Sequence, residues 1–96
     1  MVFAEMEYEK HYSEFHDELV EFVKSKFPNI EHGLQGDSWI WIFEKNEKVA
    51  IDTFSSMKHQ IKSSNTEFIL ANKVIEHISS KYKILVYETP ELEAHE

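Results

Sequence analysis

The stretch Ser38-Trp39-Ile40-Trp41-Ile42-Phe43 is answered, across the polar interval Glu44-Lys45-Asn46-Glu47-Lys48, by Val49-Ala50-Ile51-Asp52-Thr53-Phe54. Both segments are crowded with aromatic and β-branched residues. A pleated, buried surface selects for these, because stiff branched side chains pack well against cross-strand neighbours. The pair reads as a β-hairpin, and the number of residues at its tip decides which parity turns inward. A tip of two or four residues sets Ile42 opposite Ile51 and Ile40 opposite Thr53. Trp39, Trp41 and Phe43 then lie opposite Phe54, Asp52 and Ala50 on the other face. A tip of three or five reverses this and buries the tryptophans, because a slip of one residue flips every side chain. The even tip is preferred because it joins the aliphatic residues of the hairpin to the apolar stripes of the helices. Asn46, which tolerates left-handed conformations, fits either class.

Beyond the hairpin, one parity continues through Val49, Ile51, Thr53, Ser55, Met57, His59 and Ile61. That run is either one long strand bent near Ser55-Ser56 or two strand pieces with a bulge. Upstream, Asn29 to Asp37 holds both glycines, Gly33 and Gly36, and reads as a connection with at most an irregular strand at 30–35. The Gly-x-x-Gly spacing lacks the strand and helix context of a dinucleotide site and the Lys-Ser/Thr ending of a phosphate loop, so a turn-forming role is expected.

The first helix is placed from about Tyr12. Tyr12, Phe15, Leu19, Phe22 and Val23 recur at spacings of three and four, with Ser13 as N-cap and Pro28 beyond the end. Ahead of it, Val2, Ala4, Met6 and Tyr8 alternate with Glu5, Glu7 and Glu9, as in a half-buried strand. A competing reading begins the helix near Glu5. The second helix opens on Ser64-Asn65-Thr66-Glu67, a capping box in which hydroxyl and carboxylate satisfy unpaired backbone N–H groups. Its buried stripe is Phe68, Ala71, Val74, Ile75, Ile78 and Tyr82. Residues 83–88 read as the last strand, stopped by Thr89-Pro90, so a single domain over 1–88 with a flexible acidic tail at 89–96 is expected.

The resulting order is βαββαβ, an α+β two-layer sandwich with an antiparallel sheet and two helices on one face. It resembles the ferredoxin-like split βαβ motif in element order alone, and that order implies no particular chemistry.

Composition narrows the function classes. The formal net charge is −8, from 18 acidic residues and ten basic ones, and there is no Arg. Nucleic-acid binding leans on cationic surface and on bidentate Arg contacts, so no nucleic-acid partner is expected. No apolar run reaches the ~18 residues of a membrane span. The N-terminus lacks the basic-then-apolar order of a secretory signal. With no Cys there is neither a disulfide framework nor a thiolate. These readings give a cytoplasmic protein without a membrane association.

Six histidines are scattered without a zinc spacing. His16 in His16-Asp17-Glu18 reads as part of a solvated helix turn. His59, on the apolar parity, reads as a satisfied or partly buried side chain. Asp52 faces out beside Trp41 in the even register and reads as structural or solvated. No catalytic, cofactor-binding or metal-ligating residue is assigned. If the even tip holds, Trp39, Trp41, Phe43 and Phe54 form an apolar band on the open sheet face with Leu85 and Tyr87, bordered by Glu5, Glu7 and Asp52. An exposed band of that kind marks an interface. The leading expectation is therefore a non-enzymatic interaction domain that homodimerises through Trp39, Trp41, Phe43, Asp52, Phe54 and Tyr87. Two alternatives stand beside it. One is an acidic inhibitor or immunity-like binder of a basic protein. The other is a small enzyme with a pocket between sheet and helices, using His59 or Asp52.

Overall fold

The computed structural model of the chain describes residues 1–64 and 68–92. Among them the element order is β1 Val2–Glu7, α1 Tyr12–Lys24, β2 Ile30–Gln35, β3 Asp37–Glu44, β4 Glu47–Asp52, β5 Gln60–Ser63, α2 Ile69–Ser79 and β6 Lys83–Glu91. One six-stranded sheet runs in the order β2-β3-β4-β5-β1-β6, with every neighbouring pair antiparallel. The α+β class stands. The four-stranded βαββαβ, ferredoxin-like order does not, because two further strands enter the sheet and change its order.

The first of these is β2. Ile30, His32 and Leu34 alternate with Glu31, Gly33 and Gln35 and pair with β3 through a tight turn at Gly36, whose φ of 78° suits glycine. The stretch expected to be a connection is thus an edge strand. The second comes from the long parity run after Val49, which is neither one bent strand nor two pieces in line. It folds back on itself, with Val49 opposite Ser63 and Asp52 opposite Gln60. Local hydrogen bonds break the run. The Asp52 carboxylate accepts from the Phe54 N–H at 3.2 Å, and Ser56 Oγ accepts from the Lys58 N–H at 3.2 Å, the turn chemistry of short polar side chains.

The β3–β4 hairpin has the even tip. Glu44 pairs with Glu47 around the two residues Lys45 and Asn46, and Lys45 rather than Asn46 takes the positive φ, 55°. Ile40 faces Ile51 and Ile42 faces Val49, two residues from the expected partners but on the expected face. Those four are at most 1 % exposed. They meet Ala4, Met6 and Ile61 from the sheet, Phe15, Leu19, Val20 and Val23 from α1, and Leu70, Ala71, Val74 and Ile78 from α2 in one core. Both helices therefore cover the same sheet face.

Residues 2–8 begin as a strand rather than a helix, with a register shift between Val2 and Ala4 against both neighbours. The N-cap of α1 is His11, whose Nδ1 accepts from the Ser13 N–H at 3.2 Å; Ser13 itself lies inside the helix. The capping box foreseen at Ser64 to Glu67 falls outside the described residues after Ser64. At the start of α2 the N-cap residue is Phe68, and the Leu70 N–H donates to Glu47 Oε2 at 3.0 Å, so a strand carboxylate serves a helix terminus. Strand β6 continues past Thr89-Pro90 to Glu91, which lies opposite Val2.

Candidate functional site

The uncovered sheet face is built in rows by the strand registers. Trp39, Asp52, Gln60, Glu5 and Leu85 make one row from β3 to β6, and Trp41, Ala50, Lys62 and Val2 make the next. Trp39 and Trp41 lie side by side with ring centroids 4.5 Å apart. On the far side of Trp39 is Gly33, where a Cβ would come within 2.5 Å of the indole, so the glycine makes the space the ring occupies. Over Trp41 stands Lys48, its Nζ 3.8 Å from the ring centroid, within cation–π range.

Next to this pair the face becomes concave. A groove of about 250 Å³ is lined by Trp41, Ala50, Asp52, Phe54, Lys48 and Lys62, among others. Its floor holds an ion pair, Lys62 Nζ to Asp52 Oδ1 at 2.5 Å, with side chains only 7 % and 4 % exposed. Asp52 is therefore on the open face as expected, and of the two expected roles it has the structural one, buried and paired. Phe54 forms one wall and is 47 % exposed.

Of the six interface candidates the structure brings Trp39, Trp41, Asp52 and Phe54 together. Phe43 lines a separate groove of about 280 Å³ with Phe27, Pro28 and Lys73. Tyr87 is on β6 across the sheet, in the neighbourhood of Gln60, Glu5 and Glu91; burial first, then Glu5, pushes its hydroxyl pKa up.

The opposite face hides a polar chain that the sequence did not announce. Tyr8 Oη lies 2.7 Å from His59 Nδ1, His59 Nε2 lies 2.7 Å from Ser38 Oγ, and Ser38 Oγ lies 2.6 Å from His16 Nδ1. His59 and Ser38 are fully buried and His16 is 3 % exposed, so His16 is no part of a solvated turn. The overlooked signal was its position in α1. His16 follows Phe15 and precedes Leu19 and Val20 by three and four residues, which places it on the buried stripe. For Ser38 there was no signal beyond its parity with Ile40 and Ile42.

Further bonds tie the chain to the loop between β4 and β5. The Ser38 N–H donates to Thr53 Oγ1 at 3.0 Å and the Thr53 N–H donates to the Ser38 carbonyl at 3.0 Å. Burial holds His59 down at about 3, with a smaller push from His16. His16 is lowered by burial and then by His32, against the opposing pull of Asp17. The Tyr8 hydroxyl is pushed up to about 12, chiefly by burial. Both imidazoles are accordingly neutral near pH 7. His59 and Asp52, the two acid–base candidates, lie on opposite faces of the sheet, and both ring nitrogens of His59 are engaged.

These two features define a small α+β domain with an aromatic, partly concave sheet face that neither helix covers and a polar chain that is buried on the helix side except at its Tyr8 end. Among the described residues no group of three or more His, Asp or Glu is arranged to hold a metal ion, and no helix is long and apolar enough to cross a membrane. No family model, curated protein or solved structure matches the chain.

Proposed function

We propose that this domain is a non-enzymatic interaction module that pairs with a second copy of itself through the uncovered sheet face. The observation that carries the reading is the adjacent pair Trp39 and Trp41, half-buried on a face that neither helix covers and continuous with the exposed Phe54. Large aromatic rings bring more apolar area per residue to an interface than other side chains, and an exposed cluster of them marks a contact surface.

Charge and size support a second copy as the occupant. Lys48 stands exposed over Trp41 on one side of the face, the buried Lys62 being paired with Asp52, whereas Glu5 and Glu91 stand on the β1–β6 side. A two-fold axis running along the strands lays Lys48 of one copy towards the β1–β6 side of the other, where Glu5 and Glu91 stand, an isologous contact. Six strands at about 4.8 Å spacing, each offering roughly five residues at about 3.3 Å, give a face of about 500 Å² in projection. Side-chain relief raises that towards the ~800 Å² per partner of a standard interface. The acidic border and the absence of Arg argue against nucleic acid as the occupant, and a chain without Cys suits the reducing cytoplasm.

Sedimentation velocity on the wild type and on Trp41→Lys tests the reading. The expected result is a dimer at micromolar concentration that Trp41→Lys converts to a folded monomer. A wild type that stays monomeric at high micromolar concentration overturns it.

A further inference from the structure

The buried polar groups on the helix side form one continuous chain. Tyr8 Oη, His59, Ser38 Oγ and His16 are linked end to end by three contacts of 2.6 to 2.7 Å, and each of the two inner members uses both sides of its polar group. Donor and acceptor counting favours one direction of the bonds in the neutral state. The Tyr8 oxygen already accepts from the His59 backbone N–H at 3.2 Å. With both rings neutral, every group is satisfied when Tyr8 O–H donates to His59 Nδ1, His59 Nε2–H donates to Ser38 Oγ, and Ser38 O–H donates to His16 Nδ1. His16 then carries its own proton on Nε2. The opposite direction crowds two N–H donors onto the Tyr8 oxygen and sends its O–H away from the chain.

We propose that this chain is a proton relay, in which a proton taken up at the half-buried Tyr8 hydroxyl is delivered to Nδ1 of the buried His16. As the new O–H forms at Tyr8, its former proton passes to His59 Nδ1. The His59 Nε2 proton passes to Ser38 Oγ, and the Ser38 proton passes to His16 Nδ1. One proton enters, one imidazolium results, and each bond that breaks is matched by one that forms. His59 ends neutral but in its other tautomer, with all four members still bonded in the reverse direction.

His16 is the less deeply buried of the two imidazoles, although burial is still the largest influence on it and disfavours its charged form. His32 on β2, with its ring 5.5 Å away, adds to that, and Asp17, next on α1, pulls the other way. From β3, Asp37 reaches the network through Thr53 Oγ1, at 3.5 Å. At the entry end, Glu5 on β1 lies in the field of Tyr8, and Lys58 from the β4–β5 loop stands 4.5 Å over its ring. A cation at Lys58 disfavours a proton resting there, and His59 between the two ends is too thoroughly desolvated to keep one. The relay is independent of the sheet face and of what covers it.

Its signature is a tautomer change in a histidine that never becomes charged. Imidazole nitrogen NMR on ¹⁵N-histidine-labelled full-length protein reads that directly. The expected result is His59 as the Nε2–H form at pH 7.5, passing to the Nδ1–H form over the pH range in which His16 becomes charged. In Ser38→Ala the wire is cut, and in Tyr8→Phe, which leaves Ser38 in place, the end acceptor is removed. In both variants His59 keeps one tautomer throughout. A wild-type His59 that holds the Nε2–H form while His16 becomes charged overturns the proposal, as does either variant that still switches. Unfolding of the wild type before His16 is charged overturns it too, since a working relay carries the proton within the fold.

Discussion

Gly33 and Trp39 face each other across the β2–β3 ladder, and the indole of Trp39 lies where a side chain at position 33 would begin. A Cβ there would meet the six-membered part of the ring at 2.5 Å, closer than non-bonded carbons approach. The ring is rigid and is flanked on its other side by Trp41, so it cannot yield by a small bond rotation.

Gly33→Ala is therefore expected to lower stability by about 1–2 kcal/mol. Overpacking costs of about 1–3 kcal/mol are partly offset by the ~0.5–1 kcal/mol that alanine gains over glycine in a strand. Urea denaturation followed by tryptophan fluorescence reads both the stability and the displacement of the indole. An unchanged midpoint with an unchanged native spectrum contradicts the contact.

How much of this face was legible follows from the kinds of force that build it. The parity of the hairpin was readable because Ile40, Ile42, Val49 and Ile51 match the apolar stripes of both helices, a pattern that local sequence carries. β2 was not readable as a firm strand, since Gly33 and Gly36 look alike in sequence. Only the register shows that Gly36 makes the turn while Gly33 admits the Trp39 ring. The partner of Asp52 was hidden for a related reason. Lys62 is ten residues away and arrives only because the run after Asp52 folds back, a reversal set by side-chain-to-backbone bonds at Asp52 and Ser56. Ser38 and His16 meet across 22 residues, and nothing local to either records it.

The Lys62–Asp52 pair leads to a second expected outcome. Both side chains are nearly inaccessible, so removing one partner leaves a desolvated charge, which typically costs about 3–5 kcal/mol. Asp52→Ala is expected to destabilise by about 3 kcal/mol, and Asp52→Ala combined with Lys62→Met by clearly less, because the double variant strands no charge. A double-mutant cycle by chemical denaturation measures this. Additive losses across the cycle would show that the two groups are screened from one another despite their burial.

The histidines make stability depend on pH with a definite sign. His59 is held down to about 3 in the folded chain by burial, against an ordinary histidine value of about 6.5. Below the ordinary value the unfolded chain binds a proton that folded His59 refuses. The stabilisation is thus complete above about pH 6.5 and is lost as pH falls towards 3. One fully refused proton corresponds to a slope of about 1.4 kcal/mol per pH unit. His16 is shifted in the same direction and steepens the slope until it takes up its own proton. Between about pH 6.5 and 5 most carboxylates stay ionised in both states, so this window isolates the histidines. Urea midpoints at pH 7.5, 6.5, 5.8 and 5.0 are expected to be level between the first two and to fall steadily after that, by a total of roughly 2 kcal/mol or more. Replacing His59 by Gln, which fills the site without titrating, should lower stability at pH 7.5 and flatten the decline. A wild type whose stability is level down to pH 5 would mean that the ring is charged in the fold, and with it that the polar chain is open to water.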